Sequence, residues 1–290
     1  LIVKVLMAAI LALGCVYLTV LIPELRRSRA ETRAEAGKNW QLGLITFAIQ
    51  CIATLGVSDF AMSTPVYRGM KLVDDARLPG TLVTAAAVPM TAISLLYISA
   101  VPVEPWTLLL CVLCQALGSV LGVRLVSHLP GEVIRKCMGV AITISAGIMF
   151  VKMVGFGAGG GARTGFSAGT LGWMLPVVFL LGALNMIGFG VKAPLMALYL
   201  SAGLSPLCVL PLVMGGCCAG TVGGAIGYVR RGRYQRRIAA VSALCGTAGV
   251  FLGAQFVERM KITALQWIML GVMLYTAWTM LRRPRRERQS

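Results

Sequence analysis

Gly56-Val-Ser-Asp59-Phe-Ala-Met-Ser-Thr-Pro65 and Gly188-Phe-Gly-Val-Lys192-Ala-Pro194 decide how this chain is read. Each stretch sets one ionisable residue inside an apolar segment, beside glycine and proline that break helices. A charged group at membrane depth is costly, and by default it points to a functional site. Two interrupted hydrophobic segments in corresponding halves are the sequence pointer to a transport site.

Outward from these stretches the composition is that of an integral membrane protein. Of 290 residues 58% are hydrophobic and 13% charged, and mean hydropathy is +0.83. A soluble domain carries roughly 25% charge, so there is too little polar side chain to solvate a globular surface. Apolar runs close to the ~20 residues a span needs cover Ile2–Ile22, Pro79–Ala100, Trp106–Val126, Val133–Met153, Leu207–Tyr228, Ile238–Val257 and Leu265–Leu281. Two more runs, Gln41–Met70 and Leu171–Leu204, carry the interruptions. Strand-like alternation is absent, so helices rather than a barrel are expected to satisfy the backbone in lipid. Leu1–Ile22 meets Pro23 and arginines rather than a small-residue cleavage site, and reads as a span rather than a signal peptide.

The net charge of +17 does not indicate nucleic acid. The arginines lie in short loops beside spans, where they set orientation, and no aromatic-interleaved basic patch accompanies them. The tail Arg282-Arg283-Pro-Arg285-Arg286-Glu-Arg288 and the basic loops are placed to meet anionic lipid. Among nine cysteines, Cys111 and Cys114 form a CxxC inside an apolar helix with no second pair, and read as small buried hydrophobes. Adjacent Cys217 and Cys218 fall on different faces of one helix; a redox or sulfur relay through them is the alternative function. His128 sits in a loop and reads as solvated. Triads, zinc motifs and phosphate loops are missing, so no enzyme, cofactor or metal is expected. The run Gly157-Ala-Gly-Gly-Gly161 lacks a following GK[ST] and reads as a connector.

The chain repeats itself. With Pro65 aligned on Pro194, Gly118-Ser-Val-Leu-Gly122 answers Gly249-Val-Phe-Leu-Gly253, and Gly139 answers Gly271. Small residues at this spacing allow close helix approach. The division is an N-terminal span and basic loop (1–40), repeat A (41–153), a glycine-rich connector (154–170), repeat B (171–281) and a basic tail (282–290). If the interrupted segments cross the bilayer, the halves are parallel. If each is a re-entrant hairpin, they are inverted. The hairpin arrangement puts 21 of the 27 Lys and Arg on one side and 5 on the other, against 17 and 9 for full crossings. The positive-inside rule therefore favours two inverted repeats, each a hairpin plus three spans, with the C-terminus cytoplasmic.

Two hairpin tips then meet near the midplane. Broken helices expose backbone N–H groups at electropositive N-terminal ends, and such ends bind anions. With downstream half-helices starting near Phe60 and Val191, a small-anion site is expected from Gly56, Ser58, Asp59, Ser63, Thr64, Asn185, Gly188, Gly190 and Lys192, with Pro65 and Pro194 as structural helix breaks. Alternatives stay open. Lys192 could snorkel to an interface, Asp59 could cap its half-helix, or the two could pair across the tips, making Asp59 a coupling residue for protons.

The interrupted segment, a span rich in small residues, a short turn and a GxxxG span together resemble the TauE/SafE sulfite-exporter permeases, the TSUP family. The likeness runs over about residues 44–281 and is strongest over Asn185–Gln255. It implies a secondary transporter, an exporter in the bacterial inner membrane, for sulfite, organosulfonates or related organic anions. Family positions match at Gly56, Pro65, Gly188, Gly190 and Pro194; Val57-Ser58-Asp59-Phe60 departs from the usual glycine cluster. A coupling proton or sodium ion is implied as a partner, and a homodimer is one assembly open to a transporter of this size. A non-transporting scaffold, for which the charged tips would be dispensable, is the third class.

Overall fold

The computed structural model describes residues 1–74, 77–122, 163–186, 191–259 and 261–281, with isolated helical positions between 140 and 151. No strand occurs among these residues, only a single bridge between Arg163 and Leu204. The helices are α1 Ile2–Arg27, α2 Arg29–Ala34, α3 Asn39–Ala53, α4 Asp59–Gly69, α5 Leu78–Ala100 and α6 Pro105–Leu117, which runs on into a π turn over Gly118–Gly122. Further along the chain come α7 Ala168–Met186, α8 Lys192–Ser201, α9 Pro206–Arg230, α10 Arg236–Val241, a π turn over Ser242–Gly246, α11 Thr247–Arg259 and α12 Ile262–Leu281.

Local chemistry explains several starts. Proline stands in the first turn of α5, α6 and α9, where its missing N–H would be unpaired anyway. Prolines 23, 89, 176 and 211 lie inside helices, which bundled membrane helices tolerate. The first span consequently runs through Pro23 to Arg27, and part of the expected basic loop is the short helix α2.

Among the described residues five helices are long and apolar enough to cross a membrane: Ile2–Arg27, Leu78–Ala100, Ala168–Asn185, Pro206–Arg230 and Arg236–Val257, with Pro105–Val120 a shorter apolar helix. The 23 residues of α5 extend about 35 Å, enough for a hydrocarbon core of about 30 Å. By contrast α4 has 11 residues and α8 has 10, about half that depth. Trp40, Trp106 and Trp173 are exposed near the starts of α3, α6 and α7, and Trp278 near the end of α12, positions that suit a membrane–water interface.

At the centre α5 and α9 pack along each other, and α1 covers both. Around them the halves exchange partners: α3 packs on α11, and α6 packs on α7. The contacts are reciprocal in detail. A Cβ on Gly118 would overlap the Phe179 carbonyl, and a Cβ on Gly249 would overlap the Phe47 carbonyl. Only glycine lets those backbones approach so closely.

The bundle has two well-tied ends. At one, Arg236 pairs with Glu24 and Glu31, each at 3.0 Å, and Gln235 N–H donates to Thr81 Oγ1 at 3.0 Å. Arg237 Nε donates to Asn39 at the start of α3, while Leu72, just past α4, packs on Gly37. At the other end Glu104 N–H donates to the Thr164 carbonyl at 2.9 Å, and Ser205 N–H to the Arg163 carbonyl at 3.0 Å. Phe166, before α7, lies against Tyr199 of α8 with ring centroids 6.1 Å apart.

Candidate functional site

The first interruption is built by backbone. After α3 the chain makes two tight turns, Leu55 N–H to the Ile52 carbonyl and Gly56 N–H to the Ala53 carbonyl, both at 3.1 Å. Gly56 has φ +89°, a left-handed conformation that side chains resist. A Cβ there would also lie 2.6 Å from the Met196 sulfur of α8. The chain then restarts as a helix at Asp59, with Met62 N–H donating to the Ser58 carbonyl at 3.2 Å. Gly56 makes this break. Pro65 lies within α4, which continues to Gly69.

In the second segment α7 ends at Met186 and α8 begins at Lys192, whose first turn is closed by Leu195 N–H donating to the Val191 carbonyl. Gly188 and Gly190 lie outside the described residues. Pro194 is buried in the first turn of α8, where proline costs no hydrogen bond. The half-helices thus start one residue from the sequence expectation on each side. The starts also pair Asp59 with Lys192, whereas alignment on the two prolines sets Asp59 opposite Gly188.

These two first residues touch. Lys192 Nζ donates to Asp59 Oδ1 at 2.7 Å, and the two residues are 4% and 3% exposed. Lys192 is therefore enclosed rather than extended to an interface. The two ends of the pair are not equivalent. Asp59, in the first turn of α4, is favoured by the positive helix end, while Lys192 in the first turn of α8 is opposed by it. The carboxylate offsets both the dipole and the burial that would otherwise make the ammonium untenable. Asp59 Oδ2 is buried without a hydrogen-bond partner among the described residues, and so is Asn185 Nδ2. Ser58 and Ser63 are buried nearby in sequence, and Ser63 shares a hydrogen bond with Tyr67 one turn later. Thr64 Oγ1 donates to the Phe60 carbonyl at 2.7 Å, so its proton is committed to its own helix.

Residues 174–290 match the family model described as sulfite exporter TauE/SafE. No curated protein and no solved structure matches the chain.

The TauE/SafE stretch holds Asn185 and Lys192 but not Asp59, so the ion pair joins a matched half to one outside the match. This is narrower than a likeness running over 44–281. Val57-Ser58-Asp59-Phe60 lies outside the matched residues. Within the TauE/SafE stretch α9 also brings Cys217 to the α6 interface, where Gln115 Nε2 donates to its sulfur at 3.2 Å. Gly216 makes the room, since a Cβ there would overlap Gln115 Oε1. Cys218 faces elsewhere, its sulfur 3.8 Å from Thr91 Oγ1, as adjacent positions on a helix must. Gln115 and Gln50 are buried, and sequence reasoning passed over both. Their signal was available: Gln115 is the one amide in the apolar run Trp106–Val126, and a lone polar side chain in a span is a functional-site pointer of the same kind as a charge. No group of three or more His, Cys, Asp or Glu suited to a metal occurs among the described residues.

Proposed function

We propose that this protein is a secondary transporter, an exporter of small anions such as sulfite, organosulfonates or organic carboxylates, working by alternating access at a site between two opposed broken helices. The observation that carries the reading is the buried Asp59–Lys192 pair joining the first turns of α4 and α8. An enclosed charge pair at the junction of two interrupted segments is hard to explain by packing alone, because apolar residues of similar volume are often neutral or stabilising in its place. The TauE/SafE match over the second half supports the same class.

The two halves are inverted hairpin repeats in this reading. Support comes from the bundle ends: Asn39 and Leu72 flank the first interrupted segment on the Arg236 side, while Arg163 and Leu204 flank the second on the other. The positive-inside rule makes the Arg236 side cytoplasmic, in a bacterial inner membrane, together with the basic tail.

The site is neutral overall, since the one lysine is matched by one aspartate. An anion can take Lys192 only by displacing Asp59, which leaves a buried carboxylate. Neutralising Asp59 by a coupling proton or sodium ion removes that cost and ties anion binding to a cation. Electropositive half-helix ends and the buried amide of Asn185 add donors.

Flux of sulfite, sulfoacetate and taurine in proteoliposomes tests this directly. Lys192→Met should reduce transport of the active solute by at least tenfold, and Cys217→Ser should leave it within twofold. Wild-type flux in Lys192→Met removes the pair from the mechanism; loss of activity in Cys217→Ser alone favours a sulfur relay.

A further inference from the structure

The two half-helices begin alike and then differ. Counting in steps of four from Asp59, α4 places Ser63 and Tyr67 on the same face. The same steps from Lys192 on α8 reach Met196 and Leu200. All four side chains are buried. One half-helix therefore carries hydroxyls along the face that leads to the ion pair, and the other carries apolar groups. Helix packing alone does not call for a hydroxyl at either position, since α8 fills both with apolar side chains.

The hydroxyls of α4 are connected. A tyrosine on a helix leans back toward the N-terminal end. Tyr67 accordingly shares a hydrogen bond with Ser63 and lies in the field of the Asp59 carboxylate. Asp59 gives Oδ1 to Lys192 at 2.7 Å, while Oδ2 is buried with no hydrogen-bond partner among the described residues. A bare buried oxygen is costly unless a proton or a water serves it. Thr64 stands outside the row, because it donates to the Phe60 carbonyl. Each hydroxyl both donates and accepts, so a proton passes along such a row and leaves the hydroxyls as they were.

The groups around Asp59 also separate a proton from a sodium ion. The titratable side chains in contact with it or in its field are Lys192 of α8, Tyr67 of α4 and Cys217 of α9. Helices α3 and α5, which pack on α4, carry no Asp, Glu, Lys or Arg. Their titratable groups are Cys51 and Tyr97, and the Tyr97 hydroxyl is committed to the Thr54 carbonyl. A sodium ion at Asp59 would lie beside the Lys192 ammonium and be repelled by it. The orphaned atom of Asn185 is the Nδ2 donor rather than an oxygen, so it gives a metal cation nothing. A proton on Oδ2 neutralises the carboxylate and releases Lys192 for the anion.

We infer, on the transport reading above, that Ser63 and Tyr67 form a one-sided proton path to Asp59, and that the coupling ion is a proton. It enters from the end of the bundle that carries Arg236, toward which α4 runs; Leu72, just past that helix, packs on Gly37 there. In the step an O–H bond of hydronium breaks, Tyr67 and Ser63 each receive one proton and pass one on, and an O–H bond forms at Asp59 Oδ2. A water between Ser63 and Oδ2 would serve both oxygens and complete the last hop. Chains of buried polar groups carry protons in other membrane transporters and pumps.

Net flux and exchange, compared in proteoliposomes holding the full chain with sulfoacetate and sulfite as probes, test the path. Net flux needs Asp59 to gain and lose its proton in every cycle; exchange of labelled for unlabelled solute does not. Ser63→Ala and Tyr67→Phe each remove one hydroxyl. Each should slow net flux at least fivefold and leave exchange within twofold. Replacing sodium by choline should change neither. Equal losses of net flux and exchange, in variants whose melting temperature the probe still raises, assign the hydroxyls to structure. That result overturns the path and leaves the transport reading standing. Net flux within twofold of wild type in both variants overturns the path too, as does a requirement for sodium. Absence of flux and of any thermal shift with both probes overturns the transport reading and the path with it.

Discussion

Lys192 is placed where almost every local term opposes it: buried, at the first residue of a helix, in an apolar segment. Asp59 is the single described side chain that balances it. Removing one partner leaves a buried charge and costs about 3–5 kcal/mol, whereas removing both can be nearly neutral. Asp59→Asn and Lys192→Met should each lower the unfolding midpoint in detergent, and the double variant should unfold later than either single one. Additive losses across that cycle would show that the two residues do not interact energetically. Gly56 is the second exacting position, because its φ of +89° and the Met196 sulfur both exclude a Cβ. Gly56→Ala should cost more than about 1 kcal/mol, the scale of strain for a disfavoured backbone region. Met196→Ala should restore only part of it, since the backbone term remains. Full rescue in a melting assay would assign the whole effect to the sulfur contact.

At the scale of helices, the halves meet through swapped pairs, α3 with α11 and α6 with α7, and each pair closes on a glycine against a phenylalanine carbonyl. A glutamine accompanies each interface on opposite partners: Gln50 of α3 faces Gly246, and Gln115 of α6 faces Gly182 of α7 through its backbone. Gly118→Ile and Gly249→Ile should therefore produce similar defects, each losing about 1–3 kcal/mol by overpacking, read as a lower melting temperature. A large defect in one and none in the other would mean the two interfaces are not equivalent. Much of this was legible in the sequence. Apolar run lengths anticipated the five long apolar helices among the described residues, while the expected span Val133–Met153 lies largely outside them, and the starts of α4 and α8 fell within a residue of positions read from glycine and charge. The register of the repeat was less legible. Proline alignment shifts Asp59 away from Lys192 because Pro65 sits mid-helix while Pro194 sits in a first turn; proline tolerates both settings, so it is a poor ruler. Gln115 stood out as a lone amide in an apolar run, but its partner Cys217 was not legible, since that depends on which helix lies opposite and no local pattern encodes it.

Over the whole molecule, the distribution of charge argues for one orientation. Arg230, Arg231, Arg233, Arg236 and Arg237 lie around one end of the bundle, where Glu24, Glu31 and Glu35 partly neutralise Arg236. The opposite end carries few charges, Arg163 and Arg259 among them. Basic loops resist translocation, so the first end should stay on the cytoplasmic side. Hairpins entering from opposite faces then require Arg163, beside the second interrupted segment, to lie outside, and Lys71, beside the first, to lie inside. Full crossings instead put Arg231 and Lys71 on opposite sides of the membrane. Single cysteines at Lys71, Arg163 and Arg231, labelled in intact cells with an impermeant reagent and again after permeabilisation, separate the two arrangements. Inverted hairpins expect position 163 to react from outside and positions 71 and 231 only after permeabilisation. Reaction of 71 from outside while 231 stays protected would mean that the first segment crosses the bilayer. The tips of α4 and α8 would then have to meet without entering from opposed faces, and opposed half-helix ends could no longer account for an anion site at Lys192.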